Sequence, residues 1–253
     1  MSADTVPKGW PQGVARILLD TVDSTNAHAA RLAPQSPTWI MAAEQSGGRG
    51  RRGRPWSSPR GNLYATLCLQ PTESPDKVAL RSFAAALALR DACVALTGQA
   101  AAFTLKWPND VLLNGGKVAG ILLESSGAGQ HIHHLAVGIG VNLIAAPAPD
   151  QVEATATRPV SLLAETGVRV TAETFLTQLA GAYARWEAVL VTQGFAILRA
   201  EWLAHAARLG EPITARTGTQ AETGIFETID ESGALILKTA KTRRIIPAAE
   251  IFF

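Results

Sequence analysis

Short apolar runs alternate with polar stretches along the first 145 residues and predict a series of strands. The expected strands are 16–20, 39–43, 62–69, 111–113, 117–123 and 132–143. Asn114-Gly115-Gly116 separates two of these runs and predicts a hairpin. Ser24 is a good N-cap for a helix that ends near Leu32. The alanine-rich stretch 78–96 contains charged residues, so it predicts a buried helix rather than a membrane span.

In the second half of the chain, helical periodicity gives way to short strand-like runs. Thr171 can cap a helix with apolar residues at helical spacing, and a second helix is expected over 195–207. The apolar positions of the first helix are Phe175, Leu179, Tyr183, Trp186 and Leu190. Further strands are expected over 213–217, 222–229 and 235–238, with 245–246 and 251 forming a last edge. The pattern predicts a larger domain over residues 1–208 and a smaller one over 209–253.

The composition suits a soluble protein with a substantial core. The chain has 253 residues, of which 47% are hydrophobic, and a formal net charge of +2. Its basic residues concentrate in one loop, which argues against a dedicated nucleic-acid-binding protein. Cys68 and Cys93 lie in apolar runs and are expected to be buried, reduced thiols. Residues 1–11 contain no apolar core and predict no signal peptide, so we expect a cytoplasmic protein without membrane contact.

The run Gly48-Arg49-Gly50-Arg51-Arg52-Gly53-Arg54 is the strongest chemical signal in the chain. Glycines let backbone N–H groups close around an anion. Arginines supply forked donors that match phosphate or carboxylate oxygens. Because the positive charges repel one another, we expect the loop to order when an anionic ligand binds. Arg/Gly tracts also bind nucleic acids, so this run alone leaves both functions open.

Five further motifs accompany this loop in a defined order. They are Ser24-Thr25-Asn26, Glu44-Gln45, Lys106–Asp110, Lys117–Leu122 and Gly138–Asn142. Together with the arginine loop, they resemble the biotin protein ligase family. The resemblance implies an α+β fold, in which a class II aminoacyl-tRNA-synthetase-like catalytic domain precedes a small SH3-like β-barrel. The catalytic domain would have a mixed sheet with flanking helices. Because the first strand begins near Arg16, we expect the form without an N-terminal DNA-binding domain, and no DNA binding.

The resemblance implies a reaction in two steps. The carboxylate of biotin attacks the α-phosphate of ATP, with Mg²⁺, and gives biotinyl-AMP and pyrophosphate. The ε-amine of a lysine on the biotin carboxyl carrier domain of a carboxylase, such as acetyl-CoA carboxylase, then attacks the activated carbonyl and releases AMP. Because the first step brings two anions together, it needs cations on the oxygens that do not bridge.

The resemblance assigns these cations to residues of three motifs. Lys106, at the end of a strand, would meet the α-phosphate, and Lys117 would lie at the biotin carboxylate and phosphate. Arg51 would bind the biotin carboxylate and the adenylate phosphate, with Arg49 and Gly50 adding backbone contacts. The alternatives are an ordinary surface lysine at a turn for Lys106 and the solvated base of a hairpin for Lys117.

Other polar residues of the motifs would bind the rest of the two substrates. Asp110, with Asn109, would face Mg²⁺ or orient a lysine, although Pro-Asn-Asp is also good turn chemistry. Trp56 would stack on adenine, its alternative being a core residue. The resemblance places Asn142 on the nucleotide side, and a ligand role is favoured because a buried asparagine without a partner is costly. The fixed donors and acceptors for the ureido ring of biotin would come from Ser24, Thr25, Asn26 and Gln45.

Two other functions remain open from the residues. A lipoate or octanoate ligase or transferase shares the fold superfamily, but octanoyl transferases use a cysteine nucleophile and neither cysteine has a polar activator nearby. A nucleic-acid-binding module would need aromatic residues near the arginine loop, where only Trp56 and Tyr64 lie close.

His131, His133 and His134 are interpreted as a solvated strand edge rather than a metal site. The protein is expected to be a monomer or a homodimer that pairs through a sheet edge such as 132–141.

Overall fold

The computed structural model describes residues 7–128, 131–148, 151–153 and 156–253. Seven strands form one mixed sheet with the order β1-β2-β3-β7-β6-β5-β4, in which only β1 and β2 run parallel. Their bounds are β1 Ala15–Val22, β2 Thr38–Gln45, β3 Leu63–Leu69, β4 Phe103–Lys106, β5 Asp110–Leu113, β6 Gly116–Ala128 and β7 His131–Val141. The predicted strands and the hairpin between β5 and β6 are therefore confirmed, and Lys106 ends a strand, β4, as expected.

Helices cover the two faces of this sheet unequally. They are α1 Thr25–Leu32, α2 Pro75–Ala79, α3 Arg81–Thr97, α4 Leu162–Thr166, α5 Ala172–Gln193 and α6 Phe195–Ala204. The main core lies where α3, α5 and α6 pack together and α3 and α5 contact the sheet. On the other face, α1 contributes Ala29 to a small cluster with Ile40, Cys68 and Ala136. The part of this second face beyond α1 is the floor of the cavity described below.

The C-terminal residues form a separate antiparallel sheet with the order β11-β10-β9-β8-β12. Its strands are β8 Pro212–Thr217, β9 Gln220–Ile229, β10 Leu235–Lys238, β11 Arg243–Ile246 and β12 Glu250–Phe252. The indole Nε1 of buried Trp107 donates a hydrogen bond to the Gly233 carbonyl at 3.0 Å, which ties this sheet to the larger part. The predicted α+β class is confirmed, while the exact boundary at residue 209 stays a prediction.

Four expectations need correction. The stretch 78–96 forms two helices, because the chain leaves α2 at Leu80 before α3 begins. The segment 245–246 and Ile251 belong to opposite edges of the small sheet rather than to one edge. The helix that begins at Phe195 ends at Ala204 instead of Ala207. Strand β7 is not a sheet edge, since its residues 135–141 pair with β3 on one side and β6 on the other.

The two cysteines and the alanine-rich helix behave as expected. Cys68 and Cys93 are buried and free. Burial raises the pKa of Cys68 to about 11 and that of Cys93 to about 12, so both remain protonated thiols near neutral pH. Most of α3 is buried against the sheet and α5. Among the described residues, no helix is long and apolar enough to span a bilayer.

Candidate active site

A cavity of about 830 Å³ opens on the face of the large sheet that α1 leaves uncovered. Its wall contains all the residues that the motifs predict for the site. These are Ser24, Thr25, Asn26, Gln45, Arg49, Gly50, Arg51, Trp56, Lys106, Asn109, Asp110, Lys117 and Asn142. Strand β12 of the small sheet closes one side of the cavity. The fold therefore brings together residues more than 100 positions apart, in a volume typical of ligand-binding sites.

The N-terminus of α1 forms a polar end of the cavity. Ser24 caps the helix, as predicted, with its Oγ 3.5 Å from the Ala27 amide. The Thr25 amide and hydroxyl both donate to Gln45 Oε1, at 2.8 and 3.1 Å. Gln45 Nε2 in turn donates to Ser58 Oγ at 3.0 Å. These bonds fix the orientation of the Thr25 and Gln45 side chains at the cavity wall.

Thr66 on β3 completes this network, although its sequence context gave no sign of a site role. Its hydroxyl lies 2.8 Å from Thr25 Oγ1 and 2.6 Å from Asn26 Oδ1. Asn26 Nδ2 donates to Glu124 Oε2 at 2.8 Å. Because both ends of the Asn26 amide have protein partners, its orientation is determined before any ligand binds.

Two glycines of β7 create the flat floor of the cavity. A Cβ atom on Gly138 would lie 2.3 Å from Asn26 Oδ1, and one on Gly140 would lie 2.6 Å from the Trp56 ring. Any larger residue would therefore displace one of these two side chains. The sequence contains the signal for this feature, since glycines two positions apart in a strand share a face.

With biotin as the ligand that the resemblance implies for the polar end, Gly138→Ala is expected to raise the KM for biotin on the order of 10- to 100-fold, because Asn26 must move and the polar end loses its geometry. Steady-state kinetics with varied biotin measure this effect. Gly181→Ala is the matched control, since Gly181 lies in α5 outside the cavity. Its added Cβ would come no closer to another residue than 3.3 Å, the distance to Gly9 O. Equal KM values for the two variants would contradict the role given to Gly138.

Trp56 lies against Gly120 and Gly140, with Lys117 Nζ 5.4 Å from the centre of its ring. Its indole Nε1 is buried and has no hydrogen-bond partner among the described residues. A buried N–H of this kind at a cavity wall favours a ligand that brings an acceptor. Stacking of Trp56 on adenine stays a prediction.

Three neighbouring strands place two lysines and one carboxylate close together: Lys106 ends β4, Asp110 begins β5 and Lys117 lies near the start of β6. Lys106 and Asp110 are register partners, and Lys117 Nζ lies 2.7 Å from Asp110 Oδ1. Lys106 is only 8% exposed, so it is not an ordinary surface lysine. Its Nζ donates to Thr157 Oγ1 at 2.6 Å and lies 4.7 Å from the centre of the Phe253 ring. Burial lowers the pKa of Lys106, against the opposing attraction of Asp110.

Thr157→Val is expected to slow adenylate formation, the first step of the reaction that the resemblance implies, about tenfold. The reason is that the buried ammonium of Lys106 loses its acceptor. The same loss lowers the pKa of Lys106 further, so the alkaline limb of the rate profile moves to lower pH. Asp110, Lys117 and Glu250 also act on this pKa and are unchanged in the variant. A pH series of pyrophosphate release tests this, with Thr157→Ser restoring both rate and profile. A Val variant with the wild-type alkaline limb would contradict the assignment.

The four arginines of the loop differ in their partners. Arg49 lies 3.7 Å from Glu124, Arg52 lies 3.0 Å from Glu250, and Arg54 pairs with Glu250 and Glu153. Arg51 instead donates to neutral acceptors, Asn109 Oδ1 at 3.3 Å and the Ala249 carbonyl at 3.4 Å. Burial lowers the pKa of Arg51, although its guanidinium remains charged. Among the loop arginines, Arg51 is therefore the one that forms no ion pair within about 4 Å in the described part of the chain, although Asp110 and Glu250 attract it from further away.

Two asparagines have structural partners as well as a place in the cavity wall. Asn142 is buried, but its Nδ2 donates to the Val160 carbonyl at 3.1 Å. The premise that Asn142 lacks a protein partner is therefore wrong, and its nucleotide-side role stays a prediction. Asn109 Nδ2 donates to the Ile121 carbonyl at 2.6 Å, which leaves Oδ1 directed at Arg51.

The histidines of β7 lie outside the cavity wall. His131 and His133 are exposed and His134 is half-buried. The described residues contain no group of three or more His, Cys, Asp or Glu side chains that could hold a metal ion.

Family models match two parts of the chain. The model of the biotin/lipoate A/B protein ligase family matches residues 18–142, and that of the biotin protein ligase C-terminal domain matches residues 209–253. These two matches, on the cavity-forming sheet and on the small sheet, define the class as a biotin/lipoate-type protein ligase.

Individual relatives narrow this class. The chain is 58% identical over 238 residues to the biotin–[acetyl-CoA-carboxylase] ligase of Paracoccus denitrificans, covering 93% of this chain and 99% of the relative. It is 29% identical to the bifunctional ligase/repressor BirA of Bacillus subtilis, over 92% of this chain and 72% of that protein. The structure of biotin protein ligase from Aquifex aeolicus in complex with biotin and ATP superposes with a TM-score of 0.81 at 27% identity, covering 94% and 97% of the two chains. The chain belongs to the biotin protein ligase family.

Proposed function

We propose that this protein is an ATP-dependent biotin protein ligase that makes biotinyl-AMP and transfers biotin to a lysine of a carrier domain. One observation carries the proposal. The polar end at α1, the Lys106–Asp110–Lys117 group and Arg51 line a single cavity. This combination suits a ligand with a polar ring at one end and two reacting anionic groups at the other.

Biotin fits the polar end through its ureido ring. Ser24, Thr25 and Gln45 offer both hydroxyl and amide groups there. Thr25 donates to Gln45, Gln45 donates to Ser58, and the Ser24 hydroxyl accepts from the Ala27 amide. Because these groups are preorganised, binding costs little side-chain ordering. The acyl chain would run over the glycine floor, so its carboxylate would reach Lys117.

In the first step, the carboxylate oxygen of biotin bonds to the α-phosphorus of ATP and the bond to the leaving pyrophosphate breaks. Lys106, Lys117 and Arg51 would hold the oxygens that gain or keep negative charge, which lowers the barrier between two anions. Mg²⁺ would enter bound to the phosphates of ATP, where it neutralises their charge. Asp110 presents a carboxylate to this region beside Lys117, and we assign it to the Mg²⁺ side.

In the second step, the neutral ε-amine of the acceptor lysine attacks the carbonyl of biotinyl-AMP and AMP leaves. Asp110 would orient that amine once Lys117 is engaged by the ligand. The arginine loop would cover the mixed anhydride and exclude water, which protects it from hydrolysis.

The acceptor we propose is the biotin carboxyl carrier domain of acetyl-CoA carboxylase or a related carboxylase. Support comes from the Paracoccus denitrificans relative, whose name specifies acetyl-CoA carboxylase. Mass spectrometry of a carrier domain incubated with protein, biotin and ATP tests this proposal. We expect one biotinyl group on one lysine and none when that lysine is replaced by arginine. An unmodified carrier domain would contradict the choice of acceptor.

A nucleic-acid-binding function is disfavoured by the surroundings of the arginine loop. Tyr64 is buried, and its hydroxyl donates to the Pro59 carbonyl at 2.7 Å. Trp56 packs against the glycine floor. Tyr64 therefore offers no surface for base stacking, the half-buried Trp56 lies in the cavity wall rather than on an open surface, and most of the loop arginines already pair with carboxylates.

A further inference from the structure

Strand β12 of the small sheet presents one carboxylate to the arginine loop. Glu250 lies 3.0 Å from Arg52 Nη1 and also pairs with Arg54. Its Oε2 accepts a hydrogen bond from Arg216 Nη2 at 2.6 Å. The Glu250 side chain is only 12% exposed, so these contacts are shielded from solvent.

The charge state of Glu250 suits a permanent anchor. Burial works to raise its pKa, but hydrogen bonds from Arg216 and Arg54 outweigh this effect and bring the pKa to about 2. Glu250 is therefore ionised throughout the range in which the protein would function. A nearly buried carboxylate with three arginine partners holds those partners in place, because separating them would leave an uncompensated charge.

These ion pairs hold the arginine loop on both sides of Arg51. Arg52 and Arg54 follow Arg51, whereas Arg49 precedes it and pairs with Glu124 on β6. The loop is thus fixed to the large sheet before Arg51 and to the small sheet after it. The Ala249 carbonyl, next to Glu250, also accepts a hydrogen bond from Arg51 at 3.4 Å.

We infer that Glu250 is a positioning residue that latches the arginine loop to the small sheet and thereby retains biotinyl-AMP between the two steps. The inference rests on the proposed function, because it presumes that the loop covers an adenylate. Glu250 acts through the loop and not on the reacting atoms. Loss of its charge would free the part of the loop that follows Arg51, so the cavity would open more often and the intermediate would escape.

Glu250→Gln tests the latch, because it keeps the size of the side chain and removes its charge. With biotin and ATP but no acceptor, wild-type protein should release pyrophosphate in a burst and then slowly, at the rate of adenylate escape. We expect the variant to keep the burst and to raise the slow rate about tenfold, since breaking a buried charge pair acts mainly on dissociation. Glu250→Asp keeps the charge and should restore part of the retention.

Limited trypsin digestion supplies a second readout, since trypsin cleaves after arginine and the loop offers several. The variant should be cut in the loop about tenfold faster than wild type in the presence of biotin and ATP. The matched control is Glu222→Gln, which breaks an exposed pair with Arg244 in the same small sheet, outside the cavity. Glu153→Gln should have a smaller effect, because Glu153 is 51% exposed and shares Arg54 with Glu250.

The outcomes separate the latch from the proposed function. Wild-type slow release and wild-type digestion in Glu250→Gln would overturn the latch, and so would equal changes in Glu222→Gln, which would indicate general loosening. Absence of a biotin-dependent burst in the wild-type protein would overturn the proposed function itself.

Discussion

Replacing Lys106 with alanine is expected to slow biotinyl-AMP formation by about 100- to 1000-fold, the loss typical when one charge-stabilising donor is removed from an active site. Because Lys106 is buried, water cannot take the place of its positive charge. It is buried beside Asp110 and Lys117, at the end of β4, with its ammonium directed by Thr157. Single-turnover measurement of pyrophosphate release with saturating biotin and ATP isolates this step.

Folding of the Lys106→Ala variant is checked by its thermal unfolding, which we expect to resemble that of the wild type. The lost contacts are a single hydrogen bond and the Phe253 ring at the cavity wall. Lys77→Ala is the control, because Lys77 is exposed on α2, away from the cavity. A folded Lys106→Ala variant with near-normal turnover would exclude Lys106 from the first step.

Replacing Arg51 with glycine is expected to release biotinyl-AMP prematurely. Among the loop arginines, Arg51 donates to neutral acceptors, so its charge is available for the phosphate and carboxylate of the ligand. Removing it takes away a charge-assisted contact, and we expect dissociation of the adenylate to accelerate by about 10- to 100-fold. The escaped adenylate then reacts with lysines of unrelated proteins, which blotting for biotin in a protein mixture would reveal.

Arg185→Ala provides the comparison for Arg51→Gly, because Arg185 is exposed on α5 and far from the loop in sequence. The Arg185→Ala variant should attach biotin only to the intended acceptor. Tight retention of the adenylate by Arg51→Gly, with no unrelated labelling, would show that another residue holds the intermediate.

Local sequence patterns predict most of the secondary structure and most residues of the site. Strand and helix positions follow from apolar runs, caps and turn residues, and Ser24 acts as the predicted N-cap. The members of the site were predictable because each belongs to a short motif whose order along the chain matched a family. Their convergence on one cavity follows from the sheet order, which no local pattern specifies.

The remaining features depend on contacts between distant segments. Thr157 meets Lys106 across 51 positions, and Glu250 meets Arg52 only after the small sheet has packed against the loop. Nothing in the sequence around either residue marks it. The same reason explains the error at Asn142, since its partner Val160 lies 18 positions further along the chain. The expectation that β7 is an edge failed because pairing on both sides is a tertiary property.

Pyrophosphate release from ATP by the purified protein, without any acceptor, tests the central claim most directly. The reaction is run with biotin, lipoate, octanoate or no acid. We predict a biotin-dependent burst of about one equivalent, which reports an adenylate that forms and stays bound. A burst with lipoate or octanoate instead of biotin would assign the polar end at α1 to a different acid. No burst with any acid would contradict the claim that the two lysines and Arg51 form an adenylating site.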